Sequence, residues 1–333
     1  MTLDPQIAAL LGDLDAGFPP VHTMTGAAAR AAIRGRLALN PDPEAVSSVA
    51  DHRIPMSDGH IDVRVYRPSA PGPLPLLVYA HGGGFVFCDL DSHDGLCRRL
   101  ANLASCVVVS VGYRRAPEHR WPTAAEDIYA ATCWAAAAAA ELGADPSRVV
   151  VGGDSAGANL AAVTALMARD RGGPPIAAQL LLYPVLDADF TTDSYRLFGQ
   201  GFYNSRTAMQ WYWDQYVPNI GDREHPYAAP LHADLTGLPP AVVVIAGHDP
   251  LRDEGLAYLD ALSRAGVPTV RLHYDGAIHG FLTMPALDLA QRAHRDVATA
   301  LRELLHRQPA QVGSAMADRA RVLTRQEPPR LPD

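Results

Sequence analysis

Between residues 61 and 66 apolar and polar side chains alternate strictly, Ile61, Val63 and Val65 against Asp62 and Arg64. That two-residue period predicts a half-buried β-strand, and the stretch 49–54 upstream is placed to pair with it antiparallel. Further on the pattern changes to short runs that are apolar almost throughout, at 76–80, 107–111, 149–151, 178–183, 241–246 and 269–274. Runs of this kind predict strands buried on both faces. Helical stretches fill most of the intervals, over 92–103, 124–141, 156–169, 255–265 and 286–306. Residues 1–40 also read as helical: Ile7, Leu10, Leu11 and Leu14 recur at helical spacing, and 25–39 is rich in alanine and arginine. Strands alternating with helices predict an α/β fold, a mostly parallel central sheet flanked by helices. Right-handed crossovers then bring the loops that follow the strands to one edge, where such sheets bind ligands.

The rhythm fails once, between 187 and 228. Nine aromatic residues fall from Phe190 to Tyr216, against 4 Trp, 12 Tyr and 7 Phe in the whole chain. Such density predicts a helical cap over a pocket, with some rings lining it and others fastening it to the sheet. Beyond Arg307 the chain is rich in Pro, Arg and Gln without a period, which predicts a flexible tail over 307–333. No internal repeat is visible.

Composition narrows the function. Hydrophobic residues make up 48% and charged residues 19% of the 333, which excludes wholesale disorder. The net charge of −8 disfavours nucleic acid or anionic lipid as a partner. All 28 basic residues are arginine, so neither Schiff-base chemistry nor a P-loop is available. Cys88, Cys97, Cys106 and Cys133 form no C-x-x-C pair and no zinc spacing, and read as thiols in a reducing compartment with no metal. The N-terminus lacks the basic residues of a signal peptide, and the longest apolar run, at 128–140, is too short to span a bilayer. A cytoplasmic protein without an integral membrane segment is expected.

Gly153-Asp154-Ser155-Ala156-Gly157 follows the apolar run 149–151 and precedes a strong helix former. A serine on a tight strand-to-helix turn needs small neighbours, and the turn leaves the Ala156 N–H at a helix N-terminus, where negative charge is stabilised. His81-Gly82-Gly83-Gly84-Phe85 directly follows the run ending at Ala80. Consecutive glycines let the backbone approach a ligand and aim its N–H groups inward, so Gly83, Gly84 and Ala156 are the expected oxyanion donors. His81 reads as bonded to its own loop. A serine nucleophile needs an imidazole oriented by a carboxylate. Among 13 histidines, His279 lies in the loop after the last predicted strand, at the correct edge; His248 and His273 are less well placed. Asp249, after the run ending at Ala246, is the expected acid. Asp253 and Glu254 read as helix-start acids, and Asp154 as a structural hydrogen-bonder.

With Tyr113-Arg114-Arg115-Ala116-Pro117-Glu118-His119, Tyr183-Pro184, Leu238-Pro239-Pro240 and His279-Gly280-Phe281, these motifs resemble the hormone-sensitive-lipase-like esterases, bacterial family IV carboxylesterases of the α/β-hydrolase fold. The likeness spans 45–306; the family usually has leucine at position 115. The resemblance implies a Ser155–Asp249–His279 triad and an oxyanion hole of Gly83, Gly84 and Ala156. It further implies hydrolysis of short- to medium-chain acyl esters through an acyl-enzyme, without cofactor. It divides the chain into N-terminal helices (1–45) that join a cap insertion (188–226), and a catalytic domain (46–187 and 227–306). A small-molecule ester is the expected partner, and a homodimer is compatible. Two alternatives stay open: a deacetylase or amidase using the same triad, and a non-catalytic binder, as in plant hormone receptors that resemble this family but lack its catalytic histidine.

Overall fold

A computed structural model describes residues 2–36 and 42–306; the expected tail, 307–333, lies outside the described residues. Among them, eight strands form one sheet in the order β1-β2-β4-β3-β5-β6-β7-β8. β1 (Ser48–Met56) and β2 (Gly59–Arg67) are an antiparallel hairpin in which Ile54 faces Ile61. β2 is also antiparallel to β4 (Val107–Gly112). β3 (Leu74–Ala80), β4, β5 (Ala144–Asp154), β6 (Ala178–Leu182), β7 (Ala241–His248) and β8 (Thr269–Ile278) run parallel.

The helices are α1 (Pro5–Gly17), α2 (Gly26–Arg34), α3 (Asp94–Ala104), α4 (Thr123–Ala137), α5 (Ala156–Asp170), α6 (Asp193–Phe198), α7 (Arg206–Tyr216), α8 (Arg252–Arg264) and α9 (Asp288–His306). Along β3, Leu76 and Val78 pack with Ile128 of α4 and Leu160 of α5, whereas Leu77 and Tyr79 pack with Leu100 of α3 and Val297 of α9. Both faces of the strand are therefore buried, which is why these runs lack alternation. Each such Val or Leu contributes roughly 1.5–3 kcal/mol of transfer free energy.

Several boundaries differ from the sequence pattern. β8 continues to Ile278 rather than ending at 274, and β5 begins at Ala144, with a register shift between Leu74 and Leu76 on its partner. α4 stops at Ala137 although alanines continue; the chain then turns through 138–143, where Gly143 has φ 69° and Arg67 donates to the carbonyls of Leu142 and Gly143 at 3.0 and 2.9 Å. The segment without strand pattern holds α6 and α7, whose first turns are capped by Thr192 and Ser205. Among the described residues no helix is long and apolar enough to cross a membrane.

Because β3 sits between β4 and β5, the chain leaves β3 in one direction and returns on its other side. The loops after β3 and β5 therefore adjoin, forming a crevice at the carboxyl edge of the sheet.

Candidate active site

β5 ends at Asp154, α5 begins at Ala156, and Ser155 between them has φ 54° and ψ −119°. A left-handed φ at a serine is strained and has to be enforced by its surroundings. Gly153 and Gly157 permit it. A Cβ at Gly153 would meet the Ala80 oxygen at 2.4 Å, so only glycine lets the turn close against the end of β3. The Ser155 N–H donates to Leu182 O at 2.9 Å, tying the turn to β6 as well.

His279 follows the last residue of β8, and Asp249 the last residue of the adjacent β7. The imidazole Nε2 lies 2.9 Å from Ser155 Oγ, and Nδ1 lies 2.7 Å from Asp249 Oδ2. A buried carboxylate can only accept, so Nδ1 carries the proton and Nε2 is free to accept from the serine. Asp249 Oδ1 accepts from Leu251 N–H at 2.9 Å. The Tyr183 ring stands edge-on to the imidazole, centroids 5.0 Å apart. Ser155 and His279 are each 8% exposed and Asp249 is 1% exposed, so the arrangement is shielded from water but not sealed.

The loop after β3 turns back over this serine. Gly83 and Gly84 have φ 111° and 57°, and their N–H groups donate to no described residue. The Ala156 N–H, first in α5, has no intrahelical acceptor either. Gly82 differs: its N–H donates to Asp154 Oδ1 at 3.0 Å. Asp154 also accepts from Tyr79 OH at 2.8 Å and lies 3.1 Å from His93 Nε2. Burial opposes its ionisation, but His93 and the hydrogen bond from Tyr79 outweigh it and hold this carboxyl below the usual range.

His81 is held by its own loop. Its Nδ1–H donates to Gly82 O at 2.7 Å and its ring stacks on Tyr113 at 4.3 Å. Burial pushes its imidazole down to about 3, so it stays neutral. His248 bonds the Asp275 carbonyl at 2.8 Å. Glu254 does more than begin a helix: it is buried, and accepts from Leu186 N–H at 3.1 Å.

The insertion meets the site through its rings. Tyr216 stacks on Phe85 at 3.9 Å and 8°. A Cβ at Gly84 would stand 2.5 Å from the Tyr212 ring, which therefore lies directly on the glycine loop. From the N-terminal segment, Phe18 packs edge-on to Tyr203 at 5.2 Å, and Asp15 accepts from Tyr203 N–H. Nothing in the local sequence marks His93 or Tyr79 as part of this network. Their partner Asp154 is 61 and 75 residues away, and no local spacing marks such a contact.

A family described as alpha/beta hydrolase fold matches residues 77–283. The carboxylic ester hydrolase LipN of Mycobacterium tuberculosis is 47% identical over 265 residues, covering 77% of this chain and 70% of its own. The carboxylesterase NlhH of the same organism is 40% identical over 316 residues, covering 91% and 97%. Among solved structures, a hyperthermophilic esterase from the archaeon Pyrobaculum calidifontis superposes with a TM-score of 0.86 at 42% identity, over 91% of this chain and 99% of that one. The chain therefore belongs to the α/β-hydrolase fold family, in the hormone-sensitive-lipase-like branch, and is a carboxylic ester hydrolase.

Proposed function

We propose that Ser155, His279 and Asp249 carry the hydrolysis as nucleophile, base and orienting acid, with Gly83, Gly84 and Ala156 as oxyanion donors. Ser155 Oγ attacks the ester carbonyl while its proton passes to His279 Nε2, and the carbonyl oxygen becomes an oxyanion facing the three N–H groups. Collapse of this intermediate breaks the C–O bond, and the alcohol leaves with the proton from His279. Water then gives up a proton to His279, attacks the acyl-enzyme and releases the acid with Ser155 restored. Asp249 keeps Nδ1 protonated throughout and stabilises the imidazolium. The observation that supports this reading is the pair of contacts on one imidazole, 2.9 Å to Ser155 Oγ and 2.7 Å to Asp249 Oδ2.

We infer short- to medium-chain acyl esters as the substrates, as the family resemblance implies. The segment 188–226 and helices α1 and α2 act as the cap, since Tyr212, Tyr203 and Phe18 crowd the space beside the glycine loop. Ser155→Ala is expected to abolish p-nitrophenyl butyrate hydrolysis while thermal unfolding is unchanged; full turnover by that variant removes the serine from the mechanism. A fluorophosphonate labels Ser155 if it is a nucleophile and spares it if the chain only binds ligands. Rates on a butyrate ester and its anilide separate an esterase from an amidase, and esters from acetate to palmitate set the chain-length limit.

A further inference from the structure

Ser194, fully buried in the first turn of α6, directs its N–H and its hydroxyl at the turn that carries Asp249. Its N–H donates to Asp253 Oδ2 at 2.7 Å and its Oγ–H donates to the Pro250 carbonyl at 2.6 Å. The same Oγ accepts from Asp253 N–H at 3.3 Å and lies 3.1 Å from Thr192 Oγ1.

The Pro250 carbonyl and the Leu251 N–H are the two ends of one peptide unit. That N–H donates to Asp249 Oδ1, while Asp249 Oδ2 accepts from His279. A peptide group is planar and stiff, so holding its oxygen fixes the direction of its N–H. The route from Ser194 hydroxyl to peptide plane to carboxylate to imidazole is an unbroken chain of hydrogen bonds in a water-poor interior, where each bond polarises the next.

We propose that Ser194 is a positioning residue for ester hydrolysis: through the Pro250–Leu251 peptide plane it aligns the Asp249 carboxylate on His279, and so couples α6 to the acid loop. This rests on Asp249 orienting His279, as proposed above. Loss of the Ser194 hydroxyl leaves the Pro250 oxygen without that donor and lets the plane rock. Asp249 then stabilises the imidazolium less well, so the imidazole becomes harder to protonate.

The test is Ser194→Ala, with kcat expressed per serine titrated by a fluorophosphonate so that misfolded protein does not count. The expected loss in kcat is about tenfold, below the hundredfold that a full ångström of misplacement can cost, with KM little changed. The acidic limb of the kcat/KM profile moves to lower pH, a change that a merely structural serine would not produce. Ser194→Thr, which keeps a hydroxyl, is expected to recover most of the rate. Wild-type kcat per titrated site with an unmoved acidic limb overturns the proposal, even if the melting temperature falls. Should Ser194→Ala yield no folded protein, Ser194→Cys replaces the hydroxyl donor to the Pro250 carbonyl with a weaker thiol donor. It is expected to move the limb the same way by less, and an unmoved limb there also overturns the proposal. Failure of the triad itself is read separately, as turnover by Ser155→Ala.

Discussion

The Cβ that Gly157 lacks would stand 2.0 Å from the carbonyl oxygen of Ala80. Ala80 is the last residue of β3 and Gly157 the second of α5, so this contact sets how closely the glycine loop approaches the serine turn. Neither side can yield, because both are backbone. Gly157→Ala is therefore expected to destabilise by about 1–3 kcal/mol or more, as overpacked sites do, and to reduce turnover by displacing Ser155. A urea midpoint equal to wild type would show that the strand and helix have more slack than their spacing implies.

Gly84 sits at φ 57° with the Tyr212 ring 2.5 Å from where a Cβ would be. Gly84→Ala strains the backbone and pushes on a ring that is itself buried. If the Gly84 N–H is an oxyanion donor, kcat should fall by roughly 10²–10³ while KM changes far less. Adding Tyr212→Ala relieves the collision and should restore part of the rate; steady-state kinetics on both variants decide it.

Asp249→Asn keeps the shape of the acid but presents an amide to His279. Its NH₂ group cannot accept from Nδ1–H, so the imidazole is driven towards the wrong tautomer. If Asp249 is the orienting acid, a loss of about 10⁴ in kcat with nearly unchanged KM is expected, the size seen for this substitution in an established Ser-His-Asp triad. A loss below tenfold would mean that Asp249 does not orient the base.

The stability should depend on pH from both sides. Burial pushes the His81 and His294 imidazoles down to about 3 and about 4 from an ordinary 6.5. The unfolded chain takes up these protons near 6.5 and the folded chain does not, so this contribution to stability is lost as pH falls below that value. Glu254 acts in the opposite sense. Burial raises its carboxyl well above 4.5, so the folded protein keeps a proton that the unfolded chain releases, and stability declines as pH rises. Glu254→Gln, which retains an acceptor for the Leu186 N–H, should flatten the alkaline side, and His294→Gln the acidic side. Urea midpoints between about pH 4 and pH 9 measure both slopes.

Local pattern made much of this legible in advance. Strict alternation at 61–66 located β2, and apolar runs located the strands covered on both faces, except that the expected burial fails at β8, an edge strand only partly covered over Thr269–His273. Boundaries shift where distant partners act: past the end of α4, the Arg67 side chain, far away in the sequence, takes the carbonyls of Leu142 and Gly143 in the turn that leads into β5. Ser194 carried no signal at all, since its partners Pro250 and Asp253 are 56 and 59 residues away.

By itself the sequence determined which segments would be strand or helix, and where chemistry-bearing residues would stand relative to the ends of those segments. Both follow from short-range physics: side-chain periodicity, the steric needs of a tight turn, and the conformational freedom of glycine. Only the tertiary structure decided that His279 stands 2.9 Å from Ser155, that Asp154 joins the glycine loop to the serine turn, and that α6 is tied to the turn after Asp249. Those contacts join residues that are neighbours in space but not along the chain, and their distances depend on strand order, register and the packing of every layer between them.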